Sequence, residues 1–157
     1  TRKQRMVKKI VAAMGGSVKG KTIAVLGLTF KPATDDMRES PSLVIVSELQ
    51  KLGATIRAYD PEGMNEAKKL MPKLHYCSDA YDAAKGADSL VVITEWNEFM
   101  RLDLERLKSL LKAPLVIDLR NIYKRRDMQA AGYTYHSIGR QSIGGKASAI
   151  KDLLNNI

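Results

Sequence analysis

Short runs of continuous apolar residues alternate along this chain with stretches whose apolar positions recur every three or four residues. Residues 2–14 place Met6, Val7, Ile10, Val11 and Met14 on one helical stripe, which Gly15 and Gly16 bring to an end. Residues 23–26 then form a first strand, apolar throughout, between Gly20 and Gly27. A helix begins after the long polar loop, with Ser40 as N-cap and Pro41 at the first helical position, where a missing N–H costs nothing. Its apolar residues Leu43, Val44, Val46, Leu49 and Leu52 run on to Gly53. Further strands are predicted at 54–60, 74–77, 89–94, 115–119 and 133–138, and further helical stretches at 62–70, 79–85 and 103–111. In the first of these, Met64, Ala67 and Leu70 are the expected inward positions.

Strands that are apolar along their whole length, each separated from the next by a helix, call for a parallel sheet covered on both faces, with right-handed crossovers. The predicted class is therefore α/β: a Rossmann-like, doubly wound, mostly parallel sheet of about six strands with helices on both faces. No internal repeat is visible. Residues 139–157 differ in character, and there Ile150, Leu153, Leu154 and Ile157 make a small apolar stripe after Gly144-Gly145. That stripe suits either a docking helix or a tail.

Charge narrows the choice of partner. The formal net charge is +9, yet seven of the 26 Lys and Arg residues and none of the 17 acids lie within residues 1–21. A basic excess confined to one terminal segment argues against a nucleic-acid-binding face, which spreads cations and aromatics over the fold. No run is long enough to cross a membrane, and no apolar h-region follows the first residues. The chain starts without methionine, which suggests a processed or excised piece. Cys77 is the single cysteine, so a reducing cytoplasm is the expected compartment. With only His75 and His136 besides, and no ligand spacing, no metal site is expected. Both histidines fall within strands and read as structural, and Cys77, with no activating neighbour in sequence, reads as inert.

Candidate chemistry concentrates at the carboxyl ends of the strands, where open α/β sheets bind their ligands. The loop after the first strand carries Phe30, Lys31 and Arg38. Two cations beside an aromatic ring and several backbone amides suit an anionic ligand with a flat base. The same residues also fit a plug with a solvated lysine, and Arg38 has Asp35, Asp36 and Glu39 as surface partners. Arg120 directly follows the fifth strand and is expected to face the same edge as Lys31. Thr94, Glu95, Trp96 and Asn97 occupy that edge after the fourth strand, with Trp96 read as a core or interface residue. A dinucleotide cradle needs G-x-G-x-x-G, whereas Gly27 here is followed by Leu28-Thr29-Phe30-Lys31-Pro32. Asp60, at the end of the second strand, is either a ribose-binding acid or a turn cap before Pro61.

The words GLTFKPATDDMRESPSL, YDP, VVITEWNEF and VIDLRNIY, in that order, resemble the UDP-binding C-terminal domain of the UDP-glucose/GDP-mannose dehydrogenase family over roughly residues 1–140. The resemblance implies an enzyme that oxidises UDP-glucose to UDP-glucuronate with two NAD, through a covalent intermediate at a cysteine. It implies that Phe30, Lys31 and Arg120 contact the UDP-sugar, and that Arg38 reaches NAD held mainly by an N-terminal domain. Residues 1–16 would be the end of a central helix that forms a homodimer, 17–140 the UDP-sugar domain, and 141–157 a tail or docking helix. The family's NAD fingerprint and its cysteine segment match nothing here. No catalytic residue is therefore assigned, Cys77 is not the nucleophile, and these 157 residues alone are expected to be inactive. Two other readings stand beside this one. The first is the same domain of a sister enzyme acting on UDP-N-acetylmannosamine or GDP-mannose; the second is a non-catalytic nucleotide-binding or oligomerisation module.

Overall fold

The computed structural model describes residues 1–144, so the stripe at Ile150–Ile157 lies outside the described residues. Six strands form one sheet: β1 (Thr22–Leu26), β2 (Thr55–Tyr59), β3 (His75–Tyr76), β4 (Ser89–Val92), β5 (Leu115–Asp118) and β6 (Thr134–Ser137). They lie in the order β3-β2-β1-β4-β5-β6, and every pair is parallel. The helices are α1 (Arg2–Ala13), α2 (Pro41–Lys51), α3 (Met64–Leu70), α4 (Ala80–Ala84), α5 (Asn97–Met100), α6 (Leu104–Leu110) and α7 (Arg125–Ala130).

Side chains of successive strand residues point to opposite faces, so each strand feeds two cores. Ile23, Val25, Val91 and Ile117 join α1, α2 and α3 on one face. Ala24, Leu26, Leu90, Val92 and Val116 join α4 to α7 on the other. Crossovers from β1 to β3 travel one way along the sheet and those from β4 to β6 the other. Right-handedness therefore puts α2 and α3 on one face, and α5, α6 and α7 on the opposite face.

That winding leaves half of each face uncovered. The helix α1 packs along α2 and fills one gap, with Val7, Ile10 and Met14 buried beside Ile117 and Leu119. The helix α4 fills the other gap, over β1 and β2. Burying one such aliphatic side chain is worth about 1.5–3 kcal/mol, so the α1 stripe belongs to the core of this domain.

Two short helices carry no sequence signal. The segment α7 buries Met128 alone, and α5 is a single turn around Phe99. Within α3, Ala67 is buried, but Leu70 is 58% exposed rather than inward, because the helix ends there and Met71 turns into the core instead. His75 is also corrected: it lies exposed on the two-residue edge strand β3. His136 is half-buried and shares a hydrogen bond between Nδ1 and Ser142 Oγ at 2.9 Å. Burial, with the Lys9 cation adding to it, pushes the His136 pKa below its ordinary value.

Candidate functional site

The strand order reverses between β1 and β4, and open α/β sheets carry their ligand crevice outside the carboxyl ends of the strands at such a switch point. One wall is the loop from Gly27 to Ser40, and the other is the turn from Ile93 to Trp96. Arg120 follows β5, the next strand along. Phe30, Lys31, Glu95 and Arg120 therefore all leave the same edge of the sheet. Since neighbouring strands lie about 4.8 Å apart, β1 and β5 are separated by about 10 Å, a gap that two long cationic side chains can span.

Two buried carboxylates shape these loops. Asp60 follows β2 and is fully buried. Its Oδ2 accepts from Leu28 N at 2.7 Å, Thr29 N at 3.0 Å, Thr29 Oγ1 at 3.2 Å and Trp96 Nε1 at 3.3 Å. Its Oδ1 accepts from Glu62 N at 3.0 Å and Gly63 N at 2.7 Å. With both oxygens saturated, Asp60 has no lone pair left for a ribose hydroxyl. It is a structural acid that ties the start of the β1 loop to the end of β2. Together with the missing glycines of the first turn, this means that the residues here do not fit a dinucleotide held in the usual Rossmann manner.

Asp118, the last residue of β5 and also fully buried, works in the same way. Its Oδ1 accepts from Arg120 N at 3.0 Å, and its Oδ2 accepts from Ile122 N at 2.8 Å, Tyr123 N at 3.1 Å and Tyr135 Oη at 2.6 Å. Burial, reinforced by Asp118, raises the Tyr135 pKa, so the phenol stays a donor. Arg140 completes the cluster by donating to Tyr135 Oη at 2.7 Å and to the Tyr123 carbonyl at 3.3 Å. Asn121, at φ 55°, clips the loop to the end of β6: its Nδ2 donates to the Ile138 carbonyl, and its Oδ1 accepts from Ile138 N.

The crevice is held at a set width. Thr94 Oγ1 donates to the Thr29 carbonyl at 2.7 Å, joining the β1 and β4 loops. Gly27 sits at φ +93°, and a Cβ there would lie 2.5 Å from Thr94 Cβ and 2.6 Å from Thr94 N. Leu28 offers its carbonyl to two hydroxyls, Ser40 Oγ and Ser42 Oγ, each at 2.6 Å. Ser40 also caps α2, so the far end of the loop is anchored as well. Trp96 is half-buried, with its indole N–H spent on Thr29 and Asp60. It braces the loop from below.

Against this fixed frame, the predicted site residues differ in their freedom. Phe30 is 48% exposed, an unusual position for a phenylalanine at the mouth of a crevice. Lys31 is exposed and makes no ion pair among the described residues. Arg120 forms an ion pair with Glu95, a partner that reading the sequence did not identify. Arg38 lies almost wholly in solvent and pairs with Asp36 through Nε at 3.0 Å and Nη2 at 3.1 Å. The hydrogen bond from Arg38 holds the Asp36 carboxyl below its usual range. Through Asp36, whose carbonyl accepts from Phe30 N at 2.9 Å, Arg38 stays on the same loop as Phe30 and Lys31, and it lines a groove of about 480 Å³ with Thr34, Met37, Leu43, Glu66 and Leu70.

Cys77 is buried, and burial pushes its thiol up, against a smaller opposing pull from Arg57. Arg57 is the basic neighbour that the local sequence does not reveal, and it does not make the thiol reactive. No group of three or more potential metal ligands exists among the described residues. No helix there is long and apolar enough to cross a membrane.

Residues 24–125 match the UDP-binding domain of the UDP-glucose/GDP-mannose dehydrogenase family. The chain is 55% identical to a UDP-glucose 6-dehydrogenase of Rhizobium meliloti over 139 residues, covering 88% of this chain and 32% of that protein. It is 47% identical to the UDP-glucose 6-dehydrogenase TuaD of Bacillus subtilis over 146 residues, covering 91% and 32% respectively. Among solved structures, an NDP-N-acetyl-D-galactosaminuronic acid dehydrogenase from Methanosarcina mazei aligns with a TM-score of 0.77 at 26% identity, over 88% of this chain and 29% of that one. A UDP-glucose dehydrogenase from Pyrobaculum islandicum aligns with a TM-score of 0.68 at 28% identity, over 80% and 28%. The chain spans about a third of the length of the curated relatives it matches.

Proposed function

Because this chain belongs to the UDP-glucose/GDP-mannose dehydrogenase family and carries that family's UDP-binding domain, we propose that its sheet edge binds the UDP moiety of UDP-glucose. In this reading Lys31 and Arg120 take the diphosphate from two sides, and Phe30 covers the uridine or the sugar. The observation that supports it most is the convergence of Phe30, Lys31 and Arg120 on one strand edge whose loops are held rigid by Asp60 and Asp118. The 55% identity to a UDP-glucose 6-dehydrogenase favours glucose over the sister sugars.

The intact protein then oxidises UDP-glucose to UDP-glucuronate with NAD as acceptor, in the cytoplasm. NAD is held mainly by an N-terminal domain outside these residues, and Arg38 reaches it from this side. The exposure of Arg38 suits a contact with a neighbouring domain. Residues 1–16 are the end of the helix that joins the two domains and pairs two subunits. The exposed Arg2 and Arg5, with half-buried Lys9, line a groove of about 280 Å³ that suits such a contact. No group in these residues supplies the nucleophile, so this part binds substrate and does not oxidise it.

Calorimetry on the 157-residue chain tests the binding reading. UDP is expected to bind in preference to GDP, and uridine to bind much more weakly. Lys31→Ala and Arg120→Met should each weaken UDP about 10- to 100-fold, the worth of a hydrogen bond to a charged group. Binding that ignores the base and falls steeply with salt would instead mark a nonspecific anion surface.

A further inference from the structure

We infer that Glu95 is a positioning residue, which holds the Arg120 guanidinium ready for the ligand's diphosphate. The inference rests on the UDP-binding reading of this edge and adds to it a residue that contacts no ligand. Glu95 is 28% exposed and Arg120 40% exposed at the side chain, so the pair sits half-sunk at the crevice mouth. Glu95 Oε2 is shielded from solvent and accepts no hydrogen bond among the described residues, and the Arg120 guanidinium is its ion-pair partner. The guanidinium in turn makes no hydrogen bond among the described residues, and Glu95 is its one ion-pair partner there.

Both ends of the pair stand on fixed backbone. Arg120 N is bonded to Asp118, and its neighbour Asn121 is clipped to Ile138. Glu95 lies between Thr94, bonded to the Thr29 carbonyl, and Trp96, bonded to Asp60. An arginine gripped at Nε keeps its two terminal nitrogens as a planar fork, the shape that meets two phosphate oxygens at once. Without Glu95, the long side chain would have to be ordered by the ligand itself. Ordering one such side chain in advance is worth roughly 3- to 10-fold in affinity.

Charge alone predicts the opposite. Removing a carboxylate beside an anion site should tighten anion binding, so the sign of the effect separates positioning from competition. Titrations of UDP and uridine into Glu95→Ala, Glu95→Gln and Arg120→Met chains, singly and combined, read that sign. Glu95→Ala is expected to weaken UDP about 3- to 10-fold and leave uridine unchanged. Glu95→Gln, which keeps an acceptor, should recover part of the loss. In the Arg120→Met background, Glu95→Ala should add nothing. Tighter or unaltered UDP binding, a parallel loss for uridine, or a persistent loss without Arg120 would overturn the inference.

The Arg120 Nε–H resonance gives a readout that needs no ligand. Its exchange with water should accelerate in Glu95→Ala, and an unchanged rate would overturn Glu95's hold. Failure of the unaltered chain to bind UDP would count against the proposed UDP site, and the resonance would still decide the role of Glu95.

Discussion

Asp60→Ala is expected to lower the melting temperature by roughly 10–18 °C, the largest single effect predicted for this domain, through a loss of about 4–5 kcal/mol. The reasoning is a count of orphaned donors. Six hydrogen bonds converge on the two carboxylate oxygens, from Leu28, Thr29, Trp96, Glu62 and Gly63. Each buried donor left without an acceptor costs about 1–3 kcal/mol, and relaxation with water entry recovers part of the sum. Asp60→Asn keeps the shape but turns an amide NH₂ toward donors, so about half of that loss is expected. Thermal unfolding of the three chains checks this. A shift of under about 3 °C in Asp60→Ala would mean that the carboxylate is spare, and the ribose-binding reading would return.

Gly27→Ala is expected to cost about 2–5 kcal/mol, from two separate sources. At φ +93° an L-residue is strained by about 1–2 kcal/mol. The added methyl would also lie 2.6 Å from the Thr94 backbone nitrogen, and a strand end cannot move away as a flexible side chain would. Overpacking of this kind costs about 1–3 kcal/mol. Because Gly27 and Thr94 are the two lips of the crevice, UDP affinity should fall together with stability, even in the fraction that folds. Denaturant unfolding with parallel UDP titration separates the two. Wild-type affinity in a destabilised Gly27→Ala chain would show that crevice width is irrelevant to binding.

Much of the fold could be read in the sequence, for a physical reason. A parallel sheet buried on both faces needs continuously apolar strands, and residues 23–26, 90–93 and 115–117 supply them without ambiguity. The helices that were missed, α5 and α7, each bury one residue, so no periodic stripe existed to be seen. Leu70 was misplaced because helical periodicity says nothing about where a helix stops.

The site was readable where function and loop chemistry coincide. Phe30 and Lys31 stand on a long polar loop at a strand end, and Arg120 follows an apolar strand directly. The pairing of Glu95 with Arg120 was not readable, since strand adjacency, not sequence, brings the two loops together. The sequence leaves Asp60 open between a ribose-binding acid and a turn cap, and gives no such reading for Asp118. Asp60 and Asp118 both stand at the carboxyl end of a strand, and a buried acid in that position most simply serves to gather backbone donors from the loops around it.

The most direct measurement is a structure of this chain with UDP bound. The account predicts the diphosphate between the Lys31 ammonium and the Arg120 guanidinium, with Phe30 against the nucleoside or the sugar-facing side and the Glu95–Arg120 pair intact. UDP seated instead in the groove beside Arg38, or against the cations of α1, would contradict it.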